Sequence, residues 1–246
     1  MSLNYQLPDG KVLVLRTVHA NMTAFDGFVY PESGFVECKK WVANKECGNG
    51  LHGWLWGEGD DSLKIGGYDR KWMVLEVEAD TVIELNGKVK FPSANIIFCG
   101  DCEGAVALVQ KFAPPGTKIN RATVTGGDSA TVTGGYAATV TGGYAATVTG
   151  GDSATVTGGD SATVTGGNRA TVTGGNRATV TGGYAATVCI CNYGGKCRAK
   201  IGGLLVFRFW SSEKSTYQLR YIEVDGETIK EDTFYTLKEG KIVVAN

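Results

Sequence analysis

The chain of 246 residues carries 24 Lys and Arg against 25 Asp and Glu, a formal net charge of −1, and is 43% hydrophobic. That is enough apolar content for a buried core, and the charge balance lacks the basic excess of a nucleic-acid binder. No window reaches the roughly 18 consecutive apolar residues of a membrane span. Residues 1–11 are polar and lack the apolar core of a signal peptide, so synthesis in a cytosol is expected. Seven cysteines, an odd number, favour free thiols over a disulfide framework.

All five Trp and all nine Phe lie outside residues 121–188, so ordinary globular structure flanks a compositionally distinct middle. Residues 1–119 read as an α+β domain. Strands are predicted over 11–18 and 72–77. Two more, 81–85 and 88–91, flank Asn86-Gly87, a strong hairpin signal, and another covers 95–98. Residues 103–112 have a helical apolar period. Ala113-Pro114-Pro115-Gly116 stops that helix, which is placed to cap the open end of the repeat region beyond it.

From Thr123 to Gly183, Thr-Val-Thr-Gly-Gly recurs eight times at a spacing of eight residues. Thr and Val favour a pleated strand, and paired glycines every octad exclude a helix. The glycines are expected to supply the positive φ of a tight turn. One octad is too short to close around an interior, so the repeat predicts a short β-solenoid of two octads, sixteen residues, per coil. The variable dipeptides agree. From residue 136 they come in identical pairs: Tyr-Ala twice, Asp-Ser twice, Asn-Arg twice. Recent duplication of a sixteen-residue unit leaves the same pattern, and a trimer sharing each turn is a third arrangement. Alternation puts Ala and Val inside and the Thr pairs outside. Four coils would span about 19 Å. The register breaks at residues 189–195, and Gly194-Gly195 and Gly202-Gly203 restore one more octad spacing. Residues 204–210, 217–224, 233–237 and 242–244 then form a C-terminal β-meander cap. The organisation is therefore 1–119, an α+β domain with a capping helix; 120–203, the solenoid; and 204–246, the cap.

Gly135-Tyr136-Ala137-Ala138-Thr139-Val140-Thr141 resembles the octads of bacterial ice-nucleation proteins. That resemblance covers residues 121–188 and implies ice binding by Thr-x-Thr rows. A second resemblance covers more of the chain. Uncharacterised phage and prophage-encoded proteins join a small N-terminal domain to Gly-rich octads. They carry a Cys-x-x-Gly-Leu-His stretch like Cys47 to His52, and a tail similar to residues 224–237. It implies a phage-derived chain that is virion-associated.

The candidate binding surface is the row of Thr131, Thr133, Thr139, Thr141, Thr147, Thr149, Thr155 and Thr157. Tyr136, Tyr144 and Tyr184 sit at turn corners as candidate self-association contacts. Cys47 and His52 could form a Cys/His site, although five residues of Gly-rich spacing do not enforce contact, and a turn leading into a strand explains them as well. Cys99 and Cys102 have metal-ligand spacing but lack partners for a tetrahedral site, and Cys189, Cys191 and Cys197 are distant in sequence; packed thiols are the simpler reading. Glu58, Asp60 and Asp61 could bind a cation or form an exposed acidic loop. The expectation is a non-enzymatic structural or binding protein, a homo-oligomer with no cofactor and no metal. It would display a rigid repeat surface to a protein or other surface, with neither nucleic acid nor membrane as partner. Ice binding on the Thr rows, and an enzyme or ligand-binding activity around Cys47 and His52, are the alternatives.

Overall fold

Two apolar patterns, the continuous runs near the N-terminus and the Ala-x-Val alternation of the octads, build two separate cores. The computed structural model describes residues 5–191 and 194–245, with the side chains of residues 26 and 189–191 outside that description. It divides into two compact units, Met1–Asn120 and Arg121–Asn246.

In the first unit, strands β1 (Lys11–Val18), β2 (Gly34–Glu37), β3 (Leu51–Leu55), β4 (Lys71–Glu78), β5 (Ile83–Leu85), β6 (Lys88–Phe91) and β7 (Ser93–Gly100) form one sheet. Its order is β2-β7-β4-β1-β3-β6-β5, and its ladders are antiparallel. The central strands β1 and β4 are buried on both faces, which is why both read as unbroken apolar runs rather than alternating ones. Helix α1 (Cys102–Phe112) starts where Asp101 Oδ1 accepts the Gly104 N–H at 2.8 Å, an N-cap. It buries Ala105, Val106, Leu108 and Val109, and packs on β1, β4 and β7. The apolar face of the helix is thus engaged within its own unit. Strands β2 and β3 leave no clear pattern in the sequence, because each is short and interrupted by Gly or polar residues.

The second unit is the solenoid. Strands β8 (Thr123–Thr125), β10 (Thr139–Gly142), β12 (Thr155–Gly158), β14 (Thr171–Gly174), β16 (Thr187–Cys191) and β18 (Leu204–Ser211) stack in parallel in one sheet. Strands β9 (Thr131–Thr133), β11 (Thr147–Thr149), β13 (Thr163–Thr165), β15 (Thr179–Thr181) and β17 (Lys196–Arg198) stack in the other. The partners Thr139 and Thr155, or Val148 and Val164, are sixteen residues apart, so two octads make one coil within a single chain. Five steps separate β8 from β18, one more than the octads alone supply, and the stack rises about 24 Å at the usual strand spacing.

The extra turn comes from the degenerate segment. Thr179 pairs with Lys196 and Thr187 with Leu204, a spacing of seventeen, so one residue has been inserted. Each sheet ends in an antiparallel hairpin, forming the β cap. Strand β19 (Thr216–Glu223) closes on β18, and β20 (Tyr235–Lys238) pairs with β17 and with β21 (Lys241–Val244).

The glycines do something other than bend the chain. None of the paired octad glycines has positive φ. The left-handed residue is the second of the variable dipeptide, from Arg121 and Ser129 through Ala145 to Ala185, with φ between 51° and 64°. The first glycine faces inward. A Cβ on Gly142 would lie 2.8 Å from Ala146 Cβ and clash with Val148 Cγ2, and the same holds at Gly158 and Gly166. The second glycine stacks on the coil below: a Cβ on Gly151 would lie 2.7 Å from the carbonyl carbon of Gly135. The pair is required by close approach. In the last coil the pattern shifts. Gly202 (φ +73) occupies the left-handed corner that Ala185 fills one coil earlier. Ala199 and Gly203 sit where the regular octad has Gly and Ala, an exchange of the two residues that keeps the interior filled.

Opposite effects are expected at neighbouring positions. Gly142→Ala should destabilise the solenoid by about 1–3 kcal/mol through overpacking. Ala145→Gly should stabilise it by up to about 1 kcal/mol, because the left-handed cost of about 1–2 kcal/mol exceeds the entropy lost at glycine. Thermal unfolding followed by far-ultraviolet circular dichroism checks both signs. An unchanged midpoint for Gly142→Ala would remove the close-approach account.

Candidate functional site

Strand pleating and exact coil register place the threonines in columns. In the octads from Thr131 to Thr173 the first Thr of each pair is exposed and the second half-buried. Columns are spaced about 6.6 Å along a strand and rows about 4.8 Å between coils. The eight Thr singled out from the sequence do not share one face. Thr139, Thr141, Thr155 and Thr157 lie on the sheet of β10 and β12, and Thr131, Thr133, Thr147 and Thr149 on that of β9 and β11. Successive octads occupy alternate sheets, so a single row in sequence becomes two ladders. Both are rigid, because each strand bonds to the coils beside it; Thr155 N–H, for example, donates to Ala138 O at 2.9 Å. Val140, Val148, Val156 and Val164 beneath them are fully buried.

The corners carry a second ladder. Tyr136, Asp152, Asn168 and Tyr184 follow one another on one edge, and Asp128, Tyr144, Asp160 and Asn176 on the other. The identical dipeptide pairs are therefore the two ends of one coil. The Asp152 carboxylate accepts the Asn168 backbone N–H at 2.8 Å, and Asp160 accepts that of Asn176 at 2.7 Å. Asp128 accepts from Tyr144 N–H and Asn168 from Tyr184 N–H in the same way. Hydrogen bonds from Asn176 hold the Asp160 carboxyl below its ordinary pKa. Tyr144 and Tyr184 are exposed, whereas Tyr136 is half-buried with the Arg121 guanidinium 5.7 Å from its ring centroid.

In the N-terminal unit, the segment from Asn44 to Gly50 is a loop wrapped around a buried cation, and strand β3 begins at Leu51. Lys90, on β6, is fully buried. Its amine donates to Asn44 Oδ1 at 2.7 Å, to Glu46 O at 2.8 Å and to Gly48 O at 3.4 Å. Gly48 and Asn49 have positive φ, and a Cβ on Gly50 would lie 2.8 Å from Lys90 Cδ. Leu51 then enters the core, and His52 stands opposite Lys90 on β3. Cys47 and His52 line the same cavity, of about 1380 Å³. They are not paired with each other among the hydrogen bonds of the described residues. Cys47 Sγ accepts from Lys88 Nζ at 3.1 Å. Burial, then the charges of Lys88, Arg16 and Lys90, lower the His52 pKa to about 4, which makes it a weak base at neutral pH.

The remaining candidates do not converge. Cys99 lies one residue before the end of β7 with its sulfur 3.9 Å from Met22 Sδ, and Cys102 begins α1. Cys99 is a free thiol. Among the described residues no cluster of three His, Cys, Asp or Glu side chains is placed to hold a metal ion. The candidates Cys189 and Cys191 have side chains outside the described set, whereas Cys197 is buried inside the last coil. Glu58 accepts from Lys118 N–H at 3.3 Å, Asp60 from Ser62 N–H at 2.9 Å, and Asp61 pairs with Lys64 at 2.6 Å. These three carboxylates have separate local tasks. Among the described residues no helix is long and apolar enough to cross a membrane.

Residues 12–107 match a family model described as a domain of unknown function, DUF7666. The chain is 41% identical over 105 residues, 42% of its length, to the ice nucleation protein InaU of Pantoea ananas, of which this covers 10%. It is 43% identical over 101 residues to an ice nucleation protein of Pseudomonas fluorescens, 40% of this chain and 8% of the relative. A third, from Pseudomonas syringae pv. syringae, is 35% identical over 117 residues, 47% of this chain and 10% of the relative. The chain thus spans about a tenth of the length of the curated relatives it matches. No solved structure matches it. Fold and site together define a β-solenoid repeat protein with two Thr ladders, similar over part of its length to ice nucleation proteins.

The depressed His52 pKa fixes a pH dependence. The fold favours the neutral imidazole, whereas the unfolded chain takes up a proton near its ordinary value of about 6.5. The stabilising contribution is complete above that pH and is lost as pH falls toward about 4. Trp fluorescence reports the first unit, which holds four of the five Trp. Its denaturation midpoint should fall between those pH values, and fall less in His52→Gln.

Proposed function

We propose that the solenoid binds ice or ice-like water through its threonine ladders, as a non-enzymatic surface. The observation that carries this reading is the exact coil register of Thr139, Thr155 and Thr171 on one sheet and Thr147, Thr163 and Thr179 on the other. A threonine presents a hydroxyl that donates and accepts beside a methyl that does neither. Repeated on a fixed grid, the hydroxyls anchor water while the methyls keep that water bonded to its own neighbours. The backbone ladders hold the grid in place before water arrives, so ordering it costs little further conformational entropy. The similarity to proteins named as ice nucleation proteins supports the reading.

Size sets the scale of the effect. On each sheet the two threonine columns run over four strands, so the template is small, about 14 Å by 7 Å. A small template lowers the nucleation barrier little, so one chain acts by adsorbing to existing ice and nucleates only at deep supercooling. The exposed Tyr144 and Tyr184 on the two edges offer contacts through which copies could enlarge the surface.

The test is ice shaping and thermal hysteresis of the full chain. Thr139→Lys with Thr155→Lys disrupts one ladder, and Thr147→Lys with Thr163→Lys the other. Hysteresis should be present in the parent and fall in at least one double variant that keeps its far-ultraviolet spectrum, while Lys214→Ser leaves it unchanged. A parent chain that neither shapes ice nor separates melting from freezing, and freezes droplets no earlier than an inert protein at equal mass, would overturn the proposal.

A further inference from the structure

Two cations are buried among the described residues of the N-terminal unit, and only one is fully accommodated. The amine of Lys90 meets three oxygens. Arg16 is 8% exposed. Its Nη1 donates to the His52 carbonyl, its guanidinium carbon lies 4.5 Å from the Tyr30 ring centroid, and its Nε has no hydrogen-bond partner. Among the described residues no carboxylate reaches ion-pair distance of it. An unpaired buried guanidinium is costly, and burial holds its pKa below the ordinary value. His52 Nε2, beside it, is also buried without a partner.

Arg16 and His52 both line the cavity of about 1380 Å³. Among the described residues its lining includes five cationic side chains, Arg16, Lys39, Lys40, Lys64 and Lys88, against one carboxylate, Glu37. Lys64 is neutralised by Asp61 at 2.6 Å, which leaves four cations facing one anion in a chain of net charge −1. The field of Arg16, Lys88 and Lys90 converges on His52. The cavity also has an aromatic wall. Phe28 packs edge-on to Tyr30 with centroids 4.9 Å apart, and Phe35 lines the cavity while remaining 65% exposed. Exposed rings beside a cationic cleft are the two halves of a site for an anion with a flat apolar body. Four unneutralised cations suit a dianion better than a single carboxylate.

We propose that this cavity is a binding site for a phosphate monoester bearing an aromatic group, its phosphate on Arg16, Lys88 and His52 and its ring against Phe28, Tyr30 and Phe35. The assignment does not depend on the threonine ladders. The probe is phenyl phosphate, titrated calorimetrically into the full chain, with inorganic phosphate and benzoate as comparisons. Phenyl phosphate should bind at least about tenfold more tightly than either, and lose about tenfold or more in Arg16→Gln and in Lys88→Gln. Phe28→Ala should weaken phenyl phosphate and leave inorganic phosphate unchanged. Because Arg16 is buried and its replacement could disrupt the fold, the half-buried Lys88 supplies an independent variant, with folding verified by Trp fluorescence. Absence of binding heat, or affinity unchanged in folded Lys88→Gln, overturns the site. Equal affinity for inorganic phosphate overturns the aromatic half of the assignment.

Discussion

Everything in the second unit depends on coils stacking in register every sixteen residues with nothing larger than hydrogen at two points of each half-turn. The inner glycine, such as Gly142, lies against Ala146 and Val148 of the following octad, and the outer one lies on the backbone of the coil below. With those positions clear, the backbone ladder runs through strands and corners alike. Gly151 N–H donates to Gly135 O at 3.2 Å and Ala137 N–H to Asp152 O at 2.9 Å. A coil with no break in its ladder leaves unpaired backbone only at its ends, and at the C-terminal end β19 and the β20–β21 hairpin extend the two sheets.

That constraint leaves other positions free, and the chain uses them. The Thr pairs face outward on both sheets. The first dipeptide position accepts Tyr, Asp or Asn, and Asp and Asn add a side-chain bond to the next coil. The second must adopt positive φ, yet it is Ala, Ser or Arg in the octads. The interior and the ladders are strong enough to hold nine such corners in a conformation that L-residues disfavour. Where the repeat decays, glycine appears at that corner, at Gly194 and Gly202, as local preference regains control.

The first unit is organised differently. Its sheet is an ordinary antiparallel one with both central faces covered, and its departure from the ordinary is electrostatic. Lys90 enters the interior and the segment from Asn44 to Gly50 folds around it, which gives the Gly-rich stretch there a structural cause independent of any chemistry. Arg16 enters the interior without such a wrapping. The contrast between one satisfied and one unsatisfied buried cation, a few strands apart in one sheet, marks the cavity as the place where the unit has unfilled bonding capacity.

The sequence by itself determined a β-solenoid with an Ala-Val interior and pointed to a sixteen-residue coil, leaving open a coil shared among chains. An octad repeated eight times must stack its strands, and alternation within each strand buries Val and exposes Thr. It likewise determined β1, β4, the Asn86-Gly87 hairpin and α1, whose apolar periods are long and whose ends carry turn residues. Only the tertiary structure decided why the glycines are there, since close approach between coils is a property of the stack and leaves no mark separable from turn chemistry. It also decided that a single chain closes its own coils, which sets the threonines of alternate octads on two ladders of that chain. The cavity of Arg16, Lys88 and His52 was the least legible. Its members are spread across three strands, and a buried arginine becomes visible as unpaired only when every neighbour that could have met it is in place.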